Sequence, residues 1–177
     1  SIAPVLARGN LVVVESTSPV GTTERVSVWL AERRPDLTLP HTAGCDADIR
    51  VAHVPERVLP GRVLIEFVQN DRVIGGISKK CAERAAALYQ TYAVGDIVLT
   101  GARTAELVKL AENAYRDVNI AFANELSLVC DRFGLDVWEV ISLTNRHPRV
   151  NVLKPGPGVG GHCISVDPWF IVASALD

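Results

Sequence analysis

The sequence predicts an α/β fold: a partial parallel sheet covered by helices, followed by a helical region built on one long helix. Three observations carry this prediction. Over residues 1–100, short β-branched runs alternate with stretches of helical periodicity. From Ala102 to Phe133 the chain then runs without Gly or Pro, which is long for a globular helix. The whole has 177 residues, 48% hydrophobic and 21% charged, an ordinary soluble balance with room for one core or a domain plus part of another.

Leu11 to Glu15 (LVVVE) reads as a buried parallel strand. The turn STSPVG leads into TTERVSVWLAERR, where Val26, Trp29 and Leu30 recur at helical spacing. Pro35 and Pro40 mark a loop. Ile49 to Val54 forms a second strand ending at Pro55, and Arg72 to Ile74 a third before Gly75 and Gly76. Ser78 is placed to cap a helix over Lys79 to Tyr92, and Asp96 to Thr100 is the last strand. On the long helix, Leu107, Leu110, Ala111, Ala114, Val118, Ala121, Phe122, Leu128 and Val129 form a stripe with period near 3.6. A helix of this length outgrows a small domain and often packs against a second subunit. Gly134 ends it, and a shorter helix, Val137 to Leu143, precedes a loop rich in Pro and Gly.

The net charge of −2 argues against nucleic-acid binding, which needs a surplus of Lys and Arg. No apolar run approaches a membrane span and no leader pattern opens the chain, so a cytoplasmic protein with no membrane partner is expected. The chain contains no Met and both begins and ends inside apolar patterns, which reads as a piece of a longer protein. The four cysteines, Cys45, Cys81, Cys130 and Cys163, match no metal-ligand spacing, and no metal is expected. Cys81 and Cys130 sit in helical patterns as small buried hydrophobes.

Cys163 has different neighbours. In KPGPGVGGHCISVDPW, four glycines and two prolines precede it, and a helix start follows. Such a stretch serves equally as a surface loop or as the setting that activates a thiol. Asp167 lies one helical turn beyond Cys163. Lys109 and Asn113, four apart on the long helix, form either a solvated face or a pair of donors for a developing oxyanion. Glu56, after the second strand, and Thr17, after the first, occupy carboxyl ends of strands, where open α/β sheets bind ligands. Each is otherwise an ordinary surface residue.

Five ordered blocks, ESTSPVGTTE, PERVLPG with QNDRVIGG, TAELVKLAENAYRDVNIAFANELS, NRHPRVN and LKPGPGVGGHCISVDPWF, resemble the UDP-glucose/GDP-mannose dehydrogenase family and cover most of the chain. The resemblance implies that residues 1–100 are the rear of a Rossmann-like NAD-binding domain and residues 101–177 the central helical dimerisation domain. The family's G-x-G-x-x-G fingerprint and its final nucleotide-sugar domain are missing. It implies NAD as cofactor, a UDP-sugar as substrate and a homodimer formed through helix 102–133. Cys163 would be the nucleophile, Asp167 its acidic companion, Lys109 and Asn113 the oxyanion pair, and Glu56 the acid/base. Thr17 would position water near the nicotinamide, so that Thr17 and Glu56 also face the cofactor. Arg146, His147, Arg149 and Asn151 would contact substrate, one arginine reaching across the dimer. Lys154, Gly156, Gly158, Gly160 and Gly161 would form the substrate cradle.

Three positions depart from the family pattern. Pro60 stands where relatives acting on UDP-glucose carry a second Glu, which points to the acetamido-sugar branch and to UDP-N-acetyl-D-mannosamine. Val54 replaces a usual Cys, and Ser165 a usual Pro or Ala. The reaction implied oxidises a C6 alcohol to the uronate in two hydride steps through a Cys163 thioester. The rival readings are another UDP-sugar 6-dehydrogenase, a two-electron hydroxyacid or phosphogluconate-like dehydrogenase, and an inactive dimerisation module.

Overall fold

A computed structural model describes residues 2–59, 61–161 and 163–175, so Pro60 and its bearing on the sugar lie outside the described residues. The chain divides into two compact units, Ser1–Lys109 and Leu110–Asp177. The first contains β1 (Leu11–Val14), α1 (Thr22–Arg33), the single turn α2 (Pro40–Ala43), β2 (Arg50–His53), α3 (Val63–Gln69), β3 (Arg72–Gly76), α4 (Lys79–Tyr89) and β4 (Ile97–Gly101). Helix α5 (Ala102–Phe133) begins there and continues into the second unit, which adds α6 (Val137–Thr144) and α7 (Pro168–Ser174).

The four strands lie in sequence order. β1 pairs with β2 in parallel, Leu11 opposite Arg50, and β3 with β4 in parallel, Arg72 opposite Ile97. β2 and β3 are antiparallel, through Ala52–Gly76 and His53–Gly75. The sheet is therefore mostly parallel, as the sequence predicts, with one antiparallel junction between β2 and β3. A parallel return needs a crossover packed across the sheet. Here the link carries only α3, whose Val63, Leu64 and Ile65 remain exposed. Neither α2 nor α3 is among the elements expected from sequence, because runs this short and apolar have no decisive period.

Both sheet faces are covered, and the strand alternation sorts the core. Ile49 and Val51 pack with Leu30, Leu37 and Leu39 on one side, while Ala52 and Val54 pack with Ile74, Ala82, Ala85 and Tyr89 on the other. The glycines of β3 permit two close approaches. A Cβ at Gly75 would lie 2.6 Å from the Ala105 Cβ and 2.8 Å from the Ala102 Cα, so this glycine seats the first turns of α5. A Cβ at Gly76 would lie 2.4 Å from both the Ala82 nitrogen and the Ser78 oxygen. Ser78 occupies the cap position of α4, but its hydroxyl donates to the Cys81 sulfur at 3.2 Å rather than capping the helix. Cys81 and Cys130 are buried, as small core residues.

In the second unit, Ala123, Ile141 and Val152 form a small core, and Asp136 caps α6 by accepting from the Trp138 N–H at 2.9 Å. The apolar stripe on α5 divides. Leu110 is buried, whereas Leu107, Val118, Phe122, Leu128 and Val129 stay exposed. Among the described residues, no helix is long and apolar enough to cross a membrane.

His53 is fully buried, and neither ring nitrogen makes a hydrogen bond of good geometry. Burial lowers its pKa below the ordinary 6.5, opposed in part by the Glu106 carboxylate and the backbone of Val14. Two outcomes are expected. Gly76→Ala lowers unfolding stability by roughly 2–3 kcal/mol in denaturant titration, since the overlap is with backbone that cannot rotate away. Below about pH 6.5 the unfolded chain protonates His53 and the folded chain resists, so stability falls with falling pH by at most about 1.4 kcal/mol per unit from this group. His53→Phe should flatten that component of a Tm–pH curve; an unchanged slope assigns it elsewhere.

Candidate active site

Cys163 is exposed, in the turn that leads into α7. Its carbonyl accepts the N–H of Asp167 at 2.9 Å, so the two residues span one helical turn, as their spacing predicts. The Asp167 side chain is buried, and its Oδ2 accepts the Asn113 amide N–H at 2.5 Å. This contact ties the Cys163 turn to α5 within the second unit. Gly161, with φ of 92°, adopts a left-handed conformation just ahead of the turn, which a side chain would strain. Of the other thiols, Cys45 is half-buried, and backbone N–H groups at Lys80, with Ser78 and the Lys80 charge, lower its pKa.

The first unit holds Thr17, Glu56 and Lys109. Lys109 is half-buried on α5, and Thr17 is half-buried in the turn after β1. Glu56 follows β2, its N–H donating to the Glu15 carbonyl at 3.3 Å. Its Oε1 accepts the N–H groups of Arg57 at 2.6 Å and Val58 at 3.0 Å. Its Oε2 lies 3.8 Å from Nη1 of the buried Arg72.

The substrate-loop candidates Arg146, His147, Arg149, Asn151 and Lys154 are exposed, as are Gly156, Gly158, Gly160 and Gly161. Asn145, which sequence reasoning passed over, closes this loop: its amide donates to the Val152 carbonyl at 2.9 Å and accepts the Val152 N–H at 2.7 Å. The Gly156 N–H donates to Asn124 Oδ1 at 2.9 Å. Asn151 and Lys154 line a cleft of about 630 Å³ together with Arg116, Trp138 and Asn145.

Glu106 was also missed. It is fully buried, and accepts the Gly21 N–H at 2.6 Å, the Thr23 N–H at 2.7 Å and the Thr23 hydroxyl at 2.6 Å. The signal for it lies in α1. Its cap position is Gly21, left-handed with φ of 94° and without a capping side chain, so the free N–H groups need an acceptor from elsewhere. Because Glu106 fills this anion position, the α1 N-terminus cannot also grip a pyrophosphate.

Residues 1–93 match the NAD binding domain of the UDP-glucose/GDP-mannose dehydrogenase family, and residues 103–177 its central domain. A UDP-N-acetyl-D-mannosamine dehydrogenase of Yersinia pestis is 66% identical over 98% of this chain and 41% of its own length. An NDP-N-acetyl-D-galactosaminuronic acid dehydrogenase of Ralstonia nicotianae is 66% identical over 99% of this chain and 41% of its own. The solved structure of a UDP-D-ManNAc dehydrogenase from Pyrococcus horikoshii superposes with a TM-score of 0.90, at 47% identity, over 99% of this chain and 40% of that one. This chain thus spans about two-fifths of the length of these relatives, and it belongs to the UDP-glucose/GDP-mannose dehydrogenase family.

Proposed function

We propose that this chain is the middle of a longer cytoplasmic, NAD-dependent nucleotide-sugar 6-dehydrogenase that oxidises UDP-N-acetyl-D-mannosamine to its uronate for polysaccharide synthesis. Residues 1–100 would complete the NAD-binding domain and residues 101–177 would form the central domain. The observation that carries the reading is the exposed Cys163 on a glycine-rich turn held through buried Asp167 and Asn113. A two-electron dehydrogenase has no use for such a thiol.

NAD, when bound, accepts a hydride from C6 in each of two steps. Between them the Cys163 sulfur adds to the aldehyde carbon, and the alkoxide formed takes donors from Lys109 and Asn113. An amide nitrogen carries two protons, so Asn113 retains one N–H beyond that given to Asp167. The second hydride loss leaves a Cys163 thioester. Water, positioned by Thr17 and deprotonated with help from Glu56 and Asp167, attacks it. The C–S bond breaks, and carboxylate and thiol are released. Arg146, His147, Arg149, Asn151, Lys154 and the glycines 156, 158, 160 and 161 hold the nucleotide sugar. A second reading, the galacto-configured acetamido sugar, is favoured by the equal identity to the Ralstonia protein.

The homodimer rests on α5, where Tyr115, Val118, Phe122, Val129 and Phe133 are all exposed. Covering an apolar face of that size is what an obligate interface does.

The full-length enzyme should form about two NADH per UDP-N-acetyl-D-mannosamine and little with UDP-glucose; Cys163→Ser should lower kcat at least about a hundredfold. One NADH per sugar would rule out the thioester, and preference for the galacto epimer would select the second reading. In sedimentation velocity the enzyme should run as a dimer and Phe122→Asp as a monomer. An unsubstituted monomer would remove the interface.

A further inference from the structure

Arg72 is a cation almost without solvent, 5% exposed, at the first residue of β3 and opposite Ile97 of β4. A buried charge persists only where its surroundings replace water. Three rings do so here: Phe67, Tyr89 and Tyr92 lie 4.6, 5.1 and 5.8 Å from its guanidinium carbon. Phe67 and Tyr92 are themselves stacked at 4.9 Å, and the Phe67 carbonyl accepts an Arg72 Nη2 proton at 2.6 Å. The Tyr89 hydroxyl donates to Glu15 Oε1, and burial together with that carboxylate raises its pKa, so it remains a donor. The Glu15 carbonyl in turn accepts the Glu56 N–H. The guanidinium is thus fixed on its inner side, with Nη1 left toward Glu56 Oε2 at 3.8 Å.

We propose that Arg72, braced by Phe67, Tyr89 and Tyr92, is a positioning residue that holds the Glu56 carboxylate in its working orientation. This rests on the reading of Glu56 as the acid/base. A glutamate on a turn has several rotamers to choose from. Backbone N–H groups hold one oxygen of Glu56, and Arg72 steers the other, which together select one orientation. A buried arginine that only stapled β3 to its neighbours would act on stability, independently of Glu56.

The test is a double-mutant cycle in the full-length enzyme, following NADH formation from UDP-N-acetyl-D-mannosamine. Arg72→Met should lower kcat about tenfold or more with both KM values within about twofold, and Arg72→Lys should recover part of the loss. Adding Arg72→Met to Glu56→Gln should change kcat by less than about twofold, because the group being oriented is already gone. Losses that multiply, or an unchanged kcat for Arg72→Met, overturn the proposal. If Arg72→Met does not fold, the cycle with Arg72→Lys is judged by the same criterion. A Glu56→Gln enzyme with normal kcat overturns the role of Glu56 itself, and an unsubstituted enzyme forming no NADH overturns the functional reading.

Discussion

The carboxylate of Glu106 is the contact on which the joint seating of α1 and α5 in the first unit depends. It lies in the second turn of α5 and is fully buried, yet it accepts three hydrogen bonds from Gly21 and Thr23. A buried carboxylate without partners would cost several kcal/mol, so its donors specify where α5 can start. The α1 N-terminus gains equally, because a negative charge meets its free N–H groups and the positive end of its dipole. Gly75 completes the docking by letting Ala102 and Ala105 approach β3. Lys109, one turn further on, inherits its place from these two constraints.

The second unit solves a related problem with a neutral partner. Its loop of alternating glycines and prolines has little side-chain mass to pack, and the Cys163 turn that follows it needs an external anchor. Asp167 supplies it by burying its carboxylate against the Asn113 amide on α5. Asn145 does the same for the preceding loop, using one amide to close both ends of Val152. In each case a polar side chain at a helix end substitutes for a hydrophobic core that the loop cannot form.

Charge in the first unit is organised around the carboxyl ends of β1 and β2. Glu15 and Glu56 stand there with Arg72 beneath them, and the aromatic rings replace the water that the cation has lost. On the opposite account, His53 is a polar group kept in the core without satisfied nitrogens. It is tolerated because a neutral imidazole costs far less to bury than a charged one.

Local signals determined much of this protein. β-branched runs marked β1, β2 and β4, freedom from Gly and Pro marked the full length of α5, and the four-residue spacing of Cys163 and Asp167 marked the helical turn that joins them. These features are local, set by backbone preference and by spacing along one element. Tertiary structure alone decided the antiparallel junction of β2 and β3, since strand direction depends on whether the intervening helix lies across the sheet. It also decided which face of α5 is buried, where a regular apolar period was compatible with either an internal core or a partner. The partners of buried charges were likewise invisible: Glu106 meets Gly21, and Arg72 meets Glu56, across sequence separations that no spacing rule connects. A buried charge is specified by whatever the fold brings to it, and only the assembled chain contains that information.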